Sequence, residues 1–253
     1  MNVLELFSGT GSVGKCCKKL GWNVVSVDLI LPADHQVDIM EFDYKQYPKD
    51  YFSLVWASPP CTYYSHLQNC WLNRKKKDGT ILTKEKLEEL RKESDLLIKK
   101  TLEIIDYFNP ELWFMENPQT GQLKDREVVK NLPYYDVSYC MYSDWGYEKK
   151  TRIWTNKLDW NNLICDKSGS CGNMIEIPTK ENKTKKLHQN NCGNTKQNQL
   201  LKYHKIHCIN LGNADNILRK KHNIDVSKNI GGGTNREERY RVPEDLIFSL
   251  FLD

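Results

Sequence analysis

Short apolar runs, each broken by glycine, proline or charge, fill the first half of the chain. Val3-Leu4-Glu5-Leu6-Phe7 is nearly continuous in apolar character, as expected of a strand covered on both faces of a parallel sheet. Gly9, Gly11 and Gly14 follow it and lead into a helix predicted over 12–20. Residues 22–28 form a second strand ending in Asp28, and another short element ends near Asp38-Ile39. Residues 52–57 form a strand closed by Pro59-Pro60, which cannot continue a central strand. Residues 62–82 have no clean period and read as an exposed loop around the basic run 74–77. From Lys84 onward, Leu87, Leu90, Leu97, Ile98, Leu102, Ile105 and Phe108 recur at three- and four-residue steps. This predicts a long helix with Thr83 as its N-cap and Asn109-Pro110 as its stop. Residues 112–115 return to strand with Glu116-Asn117-Pro118 at its end, and 135–142 and 151–154 add two more. Such alternation predicts an α/β chain with a parallel, doubly wound sheet.

The texture changes after Trp160. Asn, Lys and other polar residues dominate, and periodicity almost disappears until about Asn210. We therefore expect a body over 1–154, a small irregular subdomain over 155–230, and a return element over 231–253. The last opens on Gly231-Gly232-Gly233 and carries Leu246, Ile247 and Leu250 at helical spacing. Charge follows the same division: residues 149–208 hold twelve Lys or Arg against four Asp or Glu, within a net charge of only +4. A basic segment on a mildly acidic body suits a polyanionic partner; the plainer alternative is a solvated lysine-rich loop. No run approaches the roughly 20 apolar residues of a membrane span, so no membrane partner is expected. No basic leader precedes the first strand, so a location wherever the target resides, cytoplasmic or nuclear, is expected rather than export. Nine cysteines without a sign of export are expected to be reduced.

Two places carry chemistry. Gly9, Gly11 and Gly14 lie between a strand and a helix, where absent side chains let backbone approach a ligand and helix N–H groups are available. Asp28, at the next strand end, can accept bonds from ribose hydroxyls. There is no Gly-Lys-Ser/Thr ending of a triphosphate loop, and a dinucleotide enzyme would use these residues equally well. The second place is Pro59-Pro60-Cys61, a thiol aimed by two rigid residues at the carboxyl edge of the sheet, with Glu116 at a second strand end.

In order and spacing, Phe7-x-Gly9-x-Gly11, Pro59-Pro60-Cys61 and Glu116-Asn117 resemble the C5-cytosine DNA methyltransferase family, most closely its short phage and large-DNA-virus forms. The resemblance implies a Rossmann-like class I methyltransferase sheet with a small recognition subdomain, S-adenosylmethionine as cofactor, and DNA with a flipped-out cytosine as partner. It makes Cys61 the nucleophile, Glu116 the pyrimidine-binding acid and Asn117 the brace of the catalytic turn. It assigns Phe7, Gly9, Gly11, Asp28, Asp38 and Pro59 to the cofactor, with Phe7 beside the adenine, Asp28 on the ribose and Asp38 on the adenine amino group. Lys150-Thr151-Arg152-Ile153-Trp154 matches the family's Gln-x-Arg-x-Arg strand at its middle position. Arg152 is thereby implied to hold the base carbonyl or position the nucleophile's loop. A monomer is expected rather than an obligate oligomer.

Cys165, Cys171, His188, Cys192, His204, His207 and Cys208 gather in the segment poorest in apolar residues. Soft ligands there point to a structural zinc ion in place of a core, with Cys165, Cys171, His188 and Cys192 as the favoured set. Buried thiols and solvent-facing histidines are the alternative. Three other functions stand beside DNA methylation: the same chemistry on RNA, a nucleic-acid-binding protein without turnover, and a nicotinamide or flavin oxidoreductase. The last leaves Glu116 and the two prolines without a role.

Overall fold

A computed structural model describes residues 1–75, 79–178, 184–188 and 240–252. Seven strands form one sheet: β1 (Asn2–Leu6), β2 (Asn23–Asp28), β3 (His35–Gln36), β4 (Leu54–Ala57), β5 (Leu112–Pro118), β6 (Tyr134–Ser138) and β7 (Lys150–Thr155). Their order is β3-β2-β1-β4-β5-β7-β6. Strands β1 to β5 pair in parallel, while β7 runs antiparallel to β5. This is the α/β, Rossmann-like class I sheet that the resemblance implies. Strands β1 and β4 lie at its centre, and for that reason their residues alternate poorly: all four of β4 are buried.

Helix α1 (Ser12–Lys19) follows the glycine turn, and α2 (Lys84–Phe108) is the long helix expected from its periodicity. Thr83 caps α2 by accepting from the Lys86 N–H at 3.1 Å, and Asn109 ends it in a left-handed conformation with φ 45°. Its apolar face buries Ile98, Ile104, Ile105 and Phe108 in the core with Leu4, Leu6, Phe52 and Val55. Helix α3 (Glu244–Leu252) brings Phe251 to within 5.6 Å of both Trp22 and Phe114, ring centroid to centroid. No described helix is long and apolar enough to cross a membrane.

One polar group interrupts this core. Glu5, in the middle of β1, is buried, and its Oε2 accepts the Gly14 N–H at 3.1 Å. Burial pushes its pKa up to about 7, against the opposing pull of the Gly14 and Val13 N–H groups. A Cβ at position 14 would lie 2.5 Å from that oxygen and 3.2 Å from Val24 Cγ1, so any larger residue there must displace the Glu5 carboxylate.

The described residues group into two compact units. The first comprises the described residues within Met1–Val137, Lys150–Asn162 and Glu244–Asp253; the second comprises those within Ser138–Lys149 and Leu163–Pro243. The segment expected to be irregular contains a two-stranded antiparallel sheet, β8 (Met174–Pro178) and β9 (Thr184–His188), in the register Met174↔His188 to Pro178↔Thr184. Two adjacent lysines, Lys185 and Lys186, and a single apolar residue, Leu187, leave β9 without the apolar alternation that marks a strand. The predicted strand over 135–142 stops at Ser138 and tightens into a 3₁₀ turn, Tyr139–Met141. Tyr139, Cys140 and Tyr142 are all buried, so apolar character persists through the turn and masks the change of conformation.

Candidate active site

Both chemistry-bearing segments leave the carboxyl ends of adjacent parallel strands in the first unit. The register pairs Leu6 with Ala57 and Ala57 with Met115. The glycine turn, the Pro-Pro-Cys turn and the Glu-Asn-Pro strand end therefore emerge side by side.

The first turn is built from alternating left-handed residues: Phe7 (φ 55°), Gly9 (φ 54°) and Gly11 (φ 66°). Phe7 adopts a conformation costly for an aromatic residue, and its ring is half-buried against the core. Asp28 fixes the turn from the neighbouring strand end. Its Oδ2 accepts the Gly9 N–H, and its Oδ1 accepts those of Ile30 and Leu31, each at 2.8 Å. A carboxylate offers about four acceptor positions, so capacity for a hydroxyl remains on Oδ2. Leu29 and Ile30, next in sequence, are exposed, Ile30 at 77%. They place an apolar surface beside the acid, one that no periodicity in the sequence marks. Asp38 is half-buried and caps its own turn, Oδ1 accepting the Met40 N–H at 2.9 Å, while Ile39 enters the core. Gly11 faces open space where a Cβ would stand. An open glycine turn, a carboxylate at the next strand end and an apolar rim fit a nucleoside that carries an amino-acid tail. The helix N-terminus is less available than its position suggests, since Glu5 occupies the Gly14 N–H.

The second turn is tied down from two sides. Asn117 is buried, and its Nδ2 donates to the Pro59 carbonyl at 2.9 Å. That bond joins the strand end carrying Glu116 to the turn carrying Cys61. Pro59 is buried, Pro60 exposed, Cys61 half-buried and Glu116 buried. The Cys61 carbonyl accepts from the N–H groups of Tyr64 and Ser65, closing a tight turn after the thiol. Tyr64 roots that turn. Its ring is fully buried, its hydroxyl donates to Asp95 at 2.9 Å, and its carbonyl accepts the Gln122 N–H at 2.9 Å. Arg126 grips Asp95 through Nε and Nη2 and reaches Glu88 through Nη1. The half-buried pairing with Asp95 raises the Arg126 pKa. None of Tyr64, Asp95 or Arg126 was legible as part of the site, since each comes from a different element.

Arg152 lies opposite Asn117 in the β5–β7 register. Its guanidinium makes a two-pronged pair with Asp136, at 2.7 and 2.8 Å, and lies 3.5 Å over the Tyr134 ring. The pairing with Asp136 raises its pKa. Trp154, where the family pattern has a second arginine, is buried in the core.

In the second unit, Cys165, Cys171 and His188 come together, and the residue that completes the group is Cys140. The four ligand atoms lie within 4.8 Å of one another. Cys192, favoured from the sequence, lies outside the described residues, as do His204, His207, Cys208, Lys180, Lys183 and the 231–233 glycines.

No family model matches the chain. It is 41% identical over 181 residues to the "Probable DNA (cytosine-5)-methyltransferase" of Frog virus 3 (isolate Goorha), an alignment covering 71% of this chain and 81% of the relative. Among solved structures, it resembles a prophage-encoded "putative DNA modification methyltransferase" (E. coli), with a TM-score of 0.43 and 14% identity. That match covers 61% of this chain and 46% of the other, so the chain spans less than half of the solved structure.

Proposed function

Since the chain belongs to the DNA (cytosine-5)-methyltransferase family, we propose that it transfers a methyl group to C5 of cytosine in DNA, with Cys61 as covalent nucleophile and Glu116 as the acid on the ring. The observation that carries this reading is the buried bond from Asn117 to the Pro59 carbonyl, which couples the strand ends bearing Cys61 and Glu116.

S-adenosylmethionine supplies, when bound, an electrophilic methyl on a sulfonium. Phe7, Gly9, Gly11, Asp28, Asp38 and Pro59 are the residues that would hold it, with Leu29 and Ile30 as apolar rim. Cytosine C5 is a weak nucleophile by itself. The Cys61 thiolate adds to C6, forming a C–S bond, while Glu116 holds a proton at N3 and so stabilises the charge displaced onto the ring. The resulting enamine has its electron density at C5, where methylation occurs. Removal of the C5 proton then expels the Cys61 thiolate and restores the aromatic ring. None of this geometry is reachable inside a base stack, so the cytosine is extruded from duplex DNA. Arg152 acts as a positioning residue: its pair with Asp136 ties β7 to β6, and β7 in turn pairs with the strand end that carries Asn117.

Incubation with labelled S-adenosylmethionine and duplex DNA, single-stranded DNA or transfer RNA tests the reading. Label is expected in DNA, at C5 of cytosine, with a loss of at least about 1,000-fold in Cys61→Ser, as for removal of a covalent nucleophile. DNA carrying 5-fluorocytosine is expected to form a denaturation-stable adduct with wild-type protein only, because fluorine cannot leave as the proton does. Transfer to RNA alone would overturn the substrate. Undiminished transfer by Cys61→Ser would overturn the covalent step.

A further inference from the structure

We propose that the second unit is built around a structural zinc ion held by Cys140, Cys165, Cys171 and His188. The proposal is independent of the methyl-transfer chemistry.

The four ligands come from three separated stretches: the 3₁₀ turn after β6, the connection preceding β8, and the last residue of β9. Sheet register does part of the assembly. Met174 pairs with His188, which brings His188 beside the chain just after Cys171. His188 Nε2 lies 3.6 Å from Cys171 Sγ and 3.7 Å from Cys165 Sγ. Zinc bonds of about 2.3 Å to sulfur and 2.0–2.1 Å to nitrogen, arranged tetrahedrally, set that edge at about 3.6 Å. Both measured edges from His188 thus match those of a tetrahedral ion, and all four ligand atoms lie within 4.8 Å of one another. Three sulfurs and one imidazole form a complete tetrahedral set, the composition of a structural rather than a catalytic site. Cys140, Cys165 and His188 are buried and Cys171 is half-buried, and four protein ligands complete a tetrahedral ion without a position for substrate.

Asn173 supports the assembly. It is buried, and its Nδ2 lies within 2.7–2.9 Å of the carbonyls of Cys140, Ser143 and Cys171, while its Oδ1 accepts the Gly146 N–H at 2.9 Å. One amide thus fixes the backbone around two ligands, as outer groups of metal sites do. Energetics point the same way. A two-stranded sheet of five residues per strand is marginal alone, and a metal site supplies folding free energy where apolar burial is scarce.

The test is metal analysis of the full chain purified without chelator. One zinc per chain is expected, and cobalt exchanged for it should give thiolate charge-transfer bands and the strong visible bands of a tetrahedral ion. Cys140→Ser is expected to lower zinc affinity at least 10-fold and Cys192→Ser to leave it unchanged. Where Cys140→Ser does not fold, His188→Cys keeps the assignment testable, since an all-sulfur set still binds cobalt but shifts its visible bands to the red. Absence of metal from both the purified and the cobalt-treated chain would overturn the proposal. So would loss of metal in Cys192→Ser with retention in Cys140→Ser, a thiol count showing disulfides among the four, or an unshifted spectrum in His188→Cys.

Discussion

The two units of this molecule solve the same problem by different means. The first orders its chain by burying apolar strands on both faces, so that Leu4, Leu54, Val55, Phe108 and Phe114 are fully covered. Among the described residues of the second, few outside the 138–149 stretch are covered in this way, and they converge on a Cys3His cluster and one amide. Where area supplies the stability, many residues each contribute a little and the hydrophobic pattern reveals them. Where a handful of ligands supplies it, the stability rests on four side chains that no periodicity links.

The sharpest way to break this comparison is a truncation in the apolar core. Phe108 packs edge-on against Phe52 at 4.9 Å and Tyr107 at 5.0 Å between ring centroids. Phe108→Ala is expected to cost about 3–5 kcal/mol in denaturant unfolding, with zinc content unchanged. An equal loss of zinc would show that the two units do not stand apart energetically.

Glu5 gives the next effect, through pH. Its proton is held more tightly folded than unfolded, so its contribution is neutral below about pH 4.5. It becomes destabilising as pH rises from there through about 7, reaching on the order of 3 kcal/mol when both states are ionised. Glu5→Gln should remove that part of the slope between pH 4.5 and 8, read from unfolding midpoints. Parallel slopes in the two proteins would place the acid outside the pH response.

A smaller change is expected from Asn117→Ala, which leaves the Pro59 carbonyl without its buried donor, at about 1–3 kcal/mol. Misplacement of the thiol should lower kcat by about 10–100-fold, a larger effect than any on S-adenosylmethionine affinity through Pro59. A raised KM with unchanged kcat would assign Asn117 to binding instead of positioning.

What the sequence revealed follows the same division. The central strands, α2 with its Thr83 cap, and the strand ends bearing Cys61 and Glu116 were readable because burial and turn chemistry act locally. Asp136, the partner of Arg152, was not, because the pair is made by two strands meeting across the sheet. Tyr64 was hidden in a loop without a period, although it is buried as deeply as any core residue. Cys140 escaped because its ligand role depends on a turn at the end of β6, far from the other cysteines in the chain. Asn173 sits in a segment rich in asparagine, where nothing distinguishes the one that holds three carbonyls.

The contact between Gly14 and Glu5 has an evolutionary corollary. Unlike the two glycines of the first turn, Gly14 in α1 has its close neighbours in the interior, Glu5 at 2.5 Å and Val24 at 3.2 Å from an added Cβ, so position 14 is coupled first to position 5. Relatives that carry alanine at 14 should have traded the acid at 5 for something shorter, whereas variation at 9 or 11 should track the bound cofactor and ignore position 5.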